Sequence, residues 1–220
     1  MPGPSWHDDA EVANPWQWLD DLYAVRPPWE IGRPQPAFLD LARAGAIRGR
    51  VLDVGCGTGE HVFMCTDLGL DATGLDLAAT ALRAAGDKAR RRGATARFLH
   101  HDARRLTELG EQFDTVLDSG LFHMLAPDDR AEYADGLQAV LRPGGRYFML
   151  CFSDREPRTP GVTVPYRLSR DDIDAAFANR LRIDAVQPVT IEITLDPAGI
   201  RAWLVTATQE PTQNPQAPQG

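Results

Sequence analysis

Cysteine is scarce in this sequence. Among 220 residues only Cys56, Cys65 and Cys151 occur, each inside an apolar pattern and none at paired metal-ligand spacing. That excludes a disulfide framework and predicts reduced, buried thiols in a cytoplasmic protein. The five histidines also lack any cysteine or paired-acid partner at ligand spacing, so no metal is expected. Long apolar runs are missing: none reaches the roughly 18 residues of a membrane span, and no basic-then-apolar leader opens the chain. Basic charge is in deficit, with a formal net charge of −8. A general nucleic-acid binder would instead show a basic face. The short run Lys88 to Arg92 falls near a predicted helix C-terminus, where cations suit the dipole. What remains is the length of one domain with a sizeable core and a small molecule as its natural partner. Oligomeric state is left open.

The chemistry is concentrated in Val51-Leu-Asp-Val-Gly-Cys-Gly-Thr-Gly59. Apolar residues around one Asp read as the end of a buried parallel strand. Alternate glycines then make a tight turn, and a helical pattern starts at Glu60. Such a turn lets backbone approach a ligand and sets it at a helix N-terminus. The spacing is not the dinucleotide G-x-G-x-x-G: the sixth position is Glu60 counted from Gly55 and Val62 counted from Gly57. An acid stands before the turn instead, as Asp53-x-Gly55-x-Gly57-x-Gly59. A carboxylate there repels pyrophosphate and attracts a positive amine, which favours S-adenosylmethionine.

Along the chain, Trp16, Trp18, Leu19, Leu22 and Tyr23 fall at helical spacing and predict a short helix over 15–24. Pro27, Pro28, Pro34 and Pro36 keep the next stretch extended. A helix over 37–44 follows, with Gly45 as its cap. Strands and helices then alternate: strands at 50–54, 71–76, 94–100, 113–118 and 145–152, and helices at 60–68, 78–92 and 127–141. That alternation predicts an α/β, Rossmann-like, mostly parallel sheet with helices on both faces. Residues 154–168 read as a loop or lid over the carboxyl edge. Ser169 with Asp172 three residues on reads as a helix N-cap. Two β-rich runs, 182–195 and 200–209, flank the turn Asp196-Pro-Ala-Gly199 and predict a closing antiparallel hairpin, making seven strands. The Pro- and Gln-rich tail is expected to be disordered.

With these motifs in order, the chain resembles the class I S-adenosylmethionine-dependent methyltransferases. The resemblance rests on the glycine turn, Gly74-Leu-Asp-Leu77, Phe98-Leu-His-His-Asp-Ala103, Phe113-Asp-Thr-Val-Leu-Asp118 and Leu141-Arg-Pro-Gly-Gly145, and it covers roughly 37–208. It implies three regions: an arm, 1–36, covering the active site; the methyltransferase domain, 37–208; and a tail, 209–220. It also implies roles. Asp53 attracts the cofactor ammonium, and Gly55 and Gly57 lie against its methionine part. Asp76 accepts from both ribose hydroxyls, which a strand-end carboxylate can do bidentately. Asp102 accepts from the adenine amine beside the Ala103 N–H, and Leu77 packs on the adenine. Asp118 and Ser119 border the methionine and the transfer site. Trp29-Glu-Ile-Gly-Arg-Pro-Gln-Pro36, after Leu22-Tyr-Ala-Val-Arg-Pro-Pro28, resembles the thiopurine-methyltransferase-like small-molecule subgroup, and within it the mycobacterial heterocyclic toxin methyltransferases. These O-methylate compounds such as alkyl-hydroxyquinolones. By that resemblance Trp16, Tyr23 and Trp29 line a pocket for cofactor and flat substrate.

Methyl transfer is mostly a matter of alignment. A base is needed only when the acceptor is protonated near neutral pH. His123, a few residues after the fourth strand, is the candidate base. Tyr166 and Arg167 are candidates to close over substrate. His61 opens a helix beside the turn and is read equally as solvent-facing. Of His100 and His101, one is expected to point inward. Acceptor atoms other than oxygen, and a non-catalytic cofactor sensor, remain open. A nucleic-acid methyltransferase is disfavoured, because Asp118-Ser-Gly-Leu stands where an N-P-P-Y-type motif would be.

Overall fold

The computed structural model describes residues 17–157 and 165–211. Its elements run α1 (Gln17–Ala24), α2 (Pro36–Arg43), β1 (Arg50–Val54), α3 (Glu60–Asp67), β2 (Asp71–Asp76), α4 (Ala79–Arg92), β3 (Arg97–His100), β4 (Phe113–Ser119), α5 (Asp129–Val140), β5 (Leu141–Phe152), α6 (Arg170–Phe177), β6 (Arg182–Ile191) and β7 (Ile200–Thr208). Two 3-10 segments that the sequence did not suggest, Ala103–Leu109 and Phe122–Met124, follow β3 and β4. Pro15 and Trp16 lie outside the described residues, as do 158–164 of the expected lid and the tail from 212.

The sheet order is β3-β2-β1-β4-β5-β7-β6. β1 pairs in parallel with β2 on one side and β4 on the other. β5 pairs in parallel with β4 and antiparallel with β7, which pairs antiparallel with β6. The chain reverses its direction of winding at β1, so a crevice opens between the carboxyl ends of β1 and β4.

β1 is central and covered on both faces, which is why it is nearly continuous apolar sequence. Val51, Leu52 and Val54 are all buried. Their alternation feeds two cores. Leu52, Val54, Val116, Tyr147 and Met149 pack on α5 and α6. Val51, Leu117, Phe148 and Leu150 pack on α2 and α3, with Phe38, Val62 and Cys65. Ala81, Ala85 and Ala89 give α4 a small-residue stripe, and Gly93 ends it at φ 63°. α6 opens on a complete capping box, with Ser169 and Asp172 each bonding the other's backbone N–H. All three cysteines are free and buried.

Three strand boundaries moved by three residues or more. β3 begins at Arg97, three residues later than read. β5 begins at Leu141, because Leu141 pairs with Phe113 before a register shift. β6 stops at Ile191, because the backbone beyond it bonds the N-terminal arm instead. Gln35 donates from Nε2 to the Glu192 carbonyl and accepts at Oε1 from the Glu192 N–H, and the Thr194 N–H donates to the Pro28 carbonyl.

Candidate active site

The turn after β1 is fastened from β2. The Gly55 and Cys56 N–H groups both donate to the Leu75 carbonyl at 2.9 Å. The Gly57 N–H donates to Asp76 Oδ2 at 2.8 Å. Gly57 stands at φ 53°, and a Cβ there would lie 2.8 Å from the Tyr23 hydroxyl. Both backbone angle and space therefore demand glycine. At Gly55, φ 71°, a Cβ would press on Leu121 at 3.1 Å. The β1 turn and the segment after β4 thus touch across the crevice.

Asp53, next to this turn, is 1% exposed, and neither carboxylate oxygen has a hydrogen-bond partner. Burial pushes its carboxyl well above the usual range, and the nearby Asp118 and Asp76 add to the effect. The nearest basic atom is His61 Nδ1, at 3.9 Å from Oδ2. His61 was left open as solvent-facing; it is buried, with its ring against Phe38. Its Nε2 accepts from the Gln35 N–H at 3.1 Å. The ring is therefore neutral with its proton on Nδ1, toward Asp53, and burial lowers its pKa to about 4. A buried, unpaired carboxylate is costly. The residues present fit a ligand that brings a positive amine, as the sequence pattern implies.

Asp76 is buried, and both oxygens already accept backbone N–H groups, Gly57 at Oδ2 and Ala78 at Oδ1, each at 2.8 Å. Its hydroxyl-accepting capacity is thus what remains after fastening the turn. Leu77 is half-buried, and its carbonyl meets His100 Nε2 at 2.9 Å. Ala103 is buried at the start of the first 3-10 segment. Asp102 is less available than the resemblance implies. It caps that segment through the Arg104 N–H, and the Arg104 guanidinium grips both its oxygens. Burial alone would raise the Asp102 pKa, but Arg104 holds it below the ordinary value. His101 bonds the Arg105 carbonyl and His100 is exposed, so neither points into the core.

Tyr23 and Trp29 form one unit: Trp29 Nε1 donates to the Tyr23 hydroxyl at 3.2 Å, the rings meet edge to face, and Trp29 stays 45% exposed. The structure puts the Tyr23 hydroxyl against the Gly57 turn. Asp20 anchors the arm further by accepting the Thr80 N–H at the start of α4.

Two expectations at the far side of the crevice are corrected. The Asp118 side chain does not border the site: it is 0% exposed and takes four donors. These are the Tyr133 hydroxyl (2.8 Å), the Tyr147 hydroxyl (2.9 Å) and the N–H groups of Leu121 (2.9 Å) and Phe122 (3.3 Å). Burial still pushes its pKa up to about 6. Asp118 is the peg that shapes the turn after β4, and half-buried Ser119 is its neighbour at the strand end. His123 is not set up as a base. Its Nδ1 accepts from the Phe152 N–H at 3.0 Å, and the ring packs 4.2 Å from that of Phe152. Burial, with the Arg130 charge, lowers its pKa to about 3. The neutral ring carries its proton on Nε2 and offers a donor. Tyr166 does join this cluster: its N–H donates to the His123 carbonyl at 2.8 Å.

Arg130 escaped the sequence reading. Its guanidinium lies over the rings of Tyr166 (5.1 Å) and Phe122 (5.6 Å). Tyr133, Leu137 and Val140 mark the buried stripe of α5, and three residues back from Tyr133 is Arg130. A charge at the head of an apolar stripe was the legible signal.

A doubly wound sheet whose glycine turn stands beside an unpaired buried carboxylate defines a small-molecule cofactor protein of the Rossmann-like class. Comparison with known proteins makes this specific. A methyltransferase domain family matches residues 51–145. The 2-heptyl-1-hydroxyquinolin-4(1H)-one methyltransferase of Mycobacteroides abscessus is 33% identical over 169 residues, 76% of this chain and 74% of that protein. The probable thiol methyltransferase 2 of Arabidopsis thaliana is 29% identical over 82% of this chain and 79% of its own. A solved structure, from work on the conversion of a disulfide bond into a thioacetal group during echinomycin biosynthesis, is 35% identical. It has a TM-score of 0.81 and covers 88% of this chain and 91% of that one. The chain belongs to the S-adenosylmethionine-dependent methyltransferases. It is an enzyme of small-molecule methylation, and S-adenosylmethionine is its cofactor.

Proposed function

We propose that this enzyme methylates a hydroxyl oxygen on a small heteroaromatic acceptor of the hydroxyquinolone kind. The observation that carries this reading is the likeness to the mycobacterial hydroxyquinolone methyltransferase across three quarters of both chains. The aromatic residues on both sides of the crevice, Tyr23 with Trp29 and His123 with Phe152 and Tyr166, support a flat acceptor.

When bound, S-adenosylmethionine supplies a methyl carbon made electrophilic by its sulfonium. The chain's own residues do the rest. Asp53 pairs with the ammonium, and Gly55 and Gly57 let backbone lie against the methionine part. Asp76 uses its remaining lone pairs for the ribose, and Leu77 and Ala103 flank the adenine with Asp102 at its edge. Ser119 borders the transfer site. The arm, fastened by Asp20, Pro28 and Gln35, covers the cofactor turn and keeps water out, which strengthens every polar contact inside. Its three buried free thiols accord with a cytoplasmic setting.

A sulfur acceptor is the second reading, favoured by the thiol methyltransferase relative and by the 35% identical structure. Purified protein with S-adenosylmethionine, screened against hydroxyquinolones, phenols, thiopurines and thiols with mass detection, decides between them. Turnover of hydroxyquinolones with O-methyl products is expected. Turnover confined to thiols would overturn the first reading in favour of the second.

A further inference from the structure

We infer that Arg130, with the Nε2–H of His123 beside it, forms an anion site that receives the methyl acceptor already ionised. This rests on the proposed small-molecule function and deepens it, because it names the charge state of the acceptor.

Among the described residues, Asp53 and Arg130 are the buried charged side chains that keep a polar atom with no hydrogen-bond partner, and they stand on either side of one turn. Asp53 is the negative one. Arg130 is the positive one: it is 9% exposed, its Nε has no hydrogen-bond partner, and it makes no ion pair among the described residues. A guanidinium has five donors; the Nε–H is sealed from water without a partner, which is costly, and the terminal N–H groups are left to meet an anion. The π faces of Phe122 and Tyr166 offset part of that cost, but they accept no N–H bond in the way an oxyanion does. The turn that links the two charges is short. Leu121 presses on Gly55, next to Asp53's strand end, Phe122 lies under Arg130, and His123 follows. A ligand that is positive at one end of the crevice and a partner that is negative at the other would satisfy both.

The histidine agrees. Its acceptor nitrogen is taken by the Phe152 N–H, so it can donate a hydrogen bond but cannot remove a proton. An acceptor that arrives ionised needs no proton removed. Its lone pair forms the bond to the methyl carbon, the pair of the broken carbon–sulfur bond stays on sulfur, and the two opposite charges cancel. An acidic N-hydroxy or phenolic oxygen meets this requirement, and so does a thiolate. A neutral alcohol does not.

The groups facing Arg130 are His123, Tyr166, Cys151 and Asp172. Asp172 is engaged with Ser169, whose hydroxyl and backbone hold its carboxyl below the usual range. Cys151 is pushed up by burial.

The test reads the acceptor's own ultraviolet spectrum, without turnover. 1-Hydroxyquinolin-4(1H)-one and thiophenol are each titrated with acid and base on the full chain saturated with S-adenosylhomocysteine. Wild type should lower the pKa of the bound acceptor by about one unit or more. Arg130→Met should return it to the free value and weaken binding of the anion about 10- to 100-fold, as expected for a lost charge-assisted bond. Arg130→Lys should keep part of the shift. S-adenosylhomocysteine affinity should stay within about threefold in both variants, which separates this role from a merely structural one. A bound acceptor that titrates in wild type as it does in solution overturns the inference, whatever the variants' stability. So does unchanged anion affinity in a folded Arg130→Met. Anion binding at Arg130 with no turnover of either acceptor would instead overturn the proposed function and leave this site standing.

Discussion

Replacing Asp53 by asparagine should push stability and binding in opposite directions. Asp53 has no donor on either oxygen and is 1% exposed. Its carboxyl is therefore raised from 3.8, and the folded state either carries an unpaired charge or takes up a proton. At pH 7 protonation caps that cost at the gap between 3.8 and 7, about 4 kcal/mol at 1.36 kcal/mol per unit. Asparagine is isosteric and removes this cost, but leaves its own amide unpaired at about 1–3 kcal/mol. The free protein should gain about 1–3 kcal/mol, a rise in Tm of several degrees for a chain of this size. Cofactor binding loses a charge-assisted bond to the ammonium, about 1.5–3 kcal/mol, or roughly 10- to 150-fold in Kd. Calorimetric titration with S-adenosylhomocysteine measures the second quantity, and thermal unfolding of the free protein the first. A variant that melts lower yet binds cofactor as tightly as wild type would refute the argument, because Asp53 would then be a structural group whose partner lies within the fold.

The same carboxyl gives a pH effect. An acid whose folded pKa is raised stabilises the fold less as pH climbs through its window, and pairing with an ammonium ionises it. Cofactor binding should therefore release protons at pH values above the ordinary carboxyl value of 3.8 and tighten with rising pH. Calorimetry in buffers of differing ionisation heat checks this, and no buffer dependence would contradict it. Gly57→Ala should weaken cofactor binding and cost about 1–2 kcal/mol for its left-handed backbone alone, plus the push against the Tyr23 hydroxyl. Tyr23→Phe in the same chain should recover part of that loss, and strict additivity in a double-mutant cycle would show that the contact is absent. Tyr147→Phe removes one of the four donors on Asp118 and should destabilise by about 1–3 kcal/mol in urea unfolding. A change below about 0.5 kcal/mol would mean the buried carboxyl does not depend on it.

Much of the fold was legible because its causes are local. Val51 to Gly59 announces strand, turn and helix start through apolar run and glycine alone. Ser169 with Asp172, and Asp196 to Gly199, close their bonds within three or four residues. Ser169→Asp172 chemistry needs no distant partner, so spacing sufficed. The boundaries that moved, at β5 and β6, were moved by partners far along the chain: Phe113 for Leu141, and Gln35 and Pro28 for the backbone after Ile191. The site was legible as a set of positions, less so as chemistry.

By itself the sequence determined which residues carry charge, where the backbone can turn left-handed, and hence that a cationic cofactor meets a glycine turn beside Asp53. Only the tertiary structure decided what those charges are free to do. It spent Asp118 on Tyr133 and Tyr147, occupied His123 Nδ1 with the Phe152 N–H, turned His61 inward onto the Gln35 N–H, and left Asp53 and Arg130 unpaired. The reason is that protonation and pairing depend on burial and on partners brought from remote strands, and neither is encoded within a few residues of the group concerned.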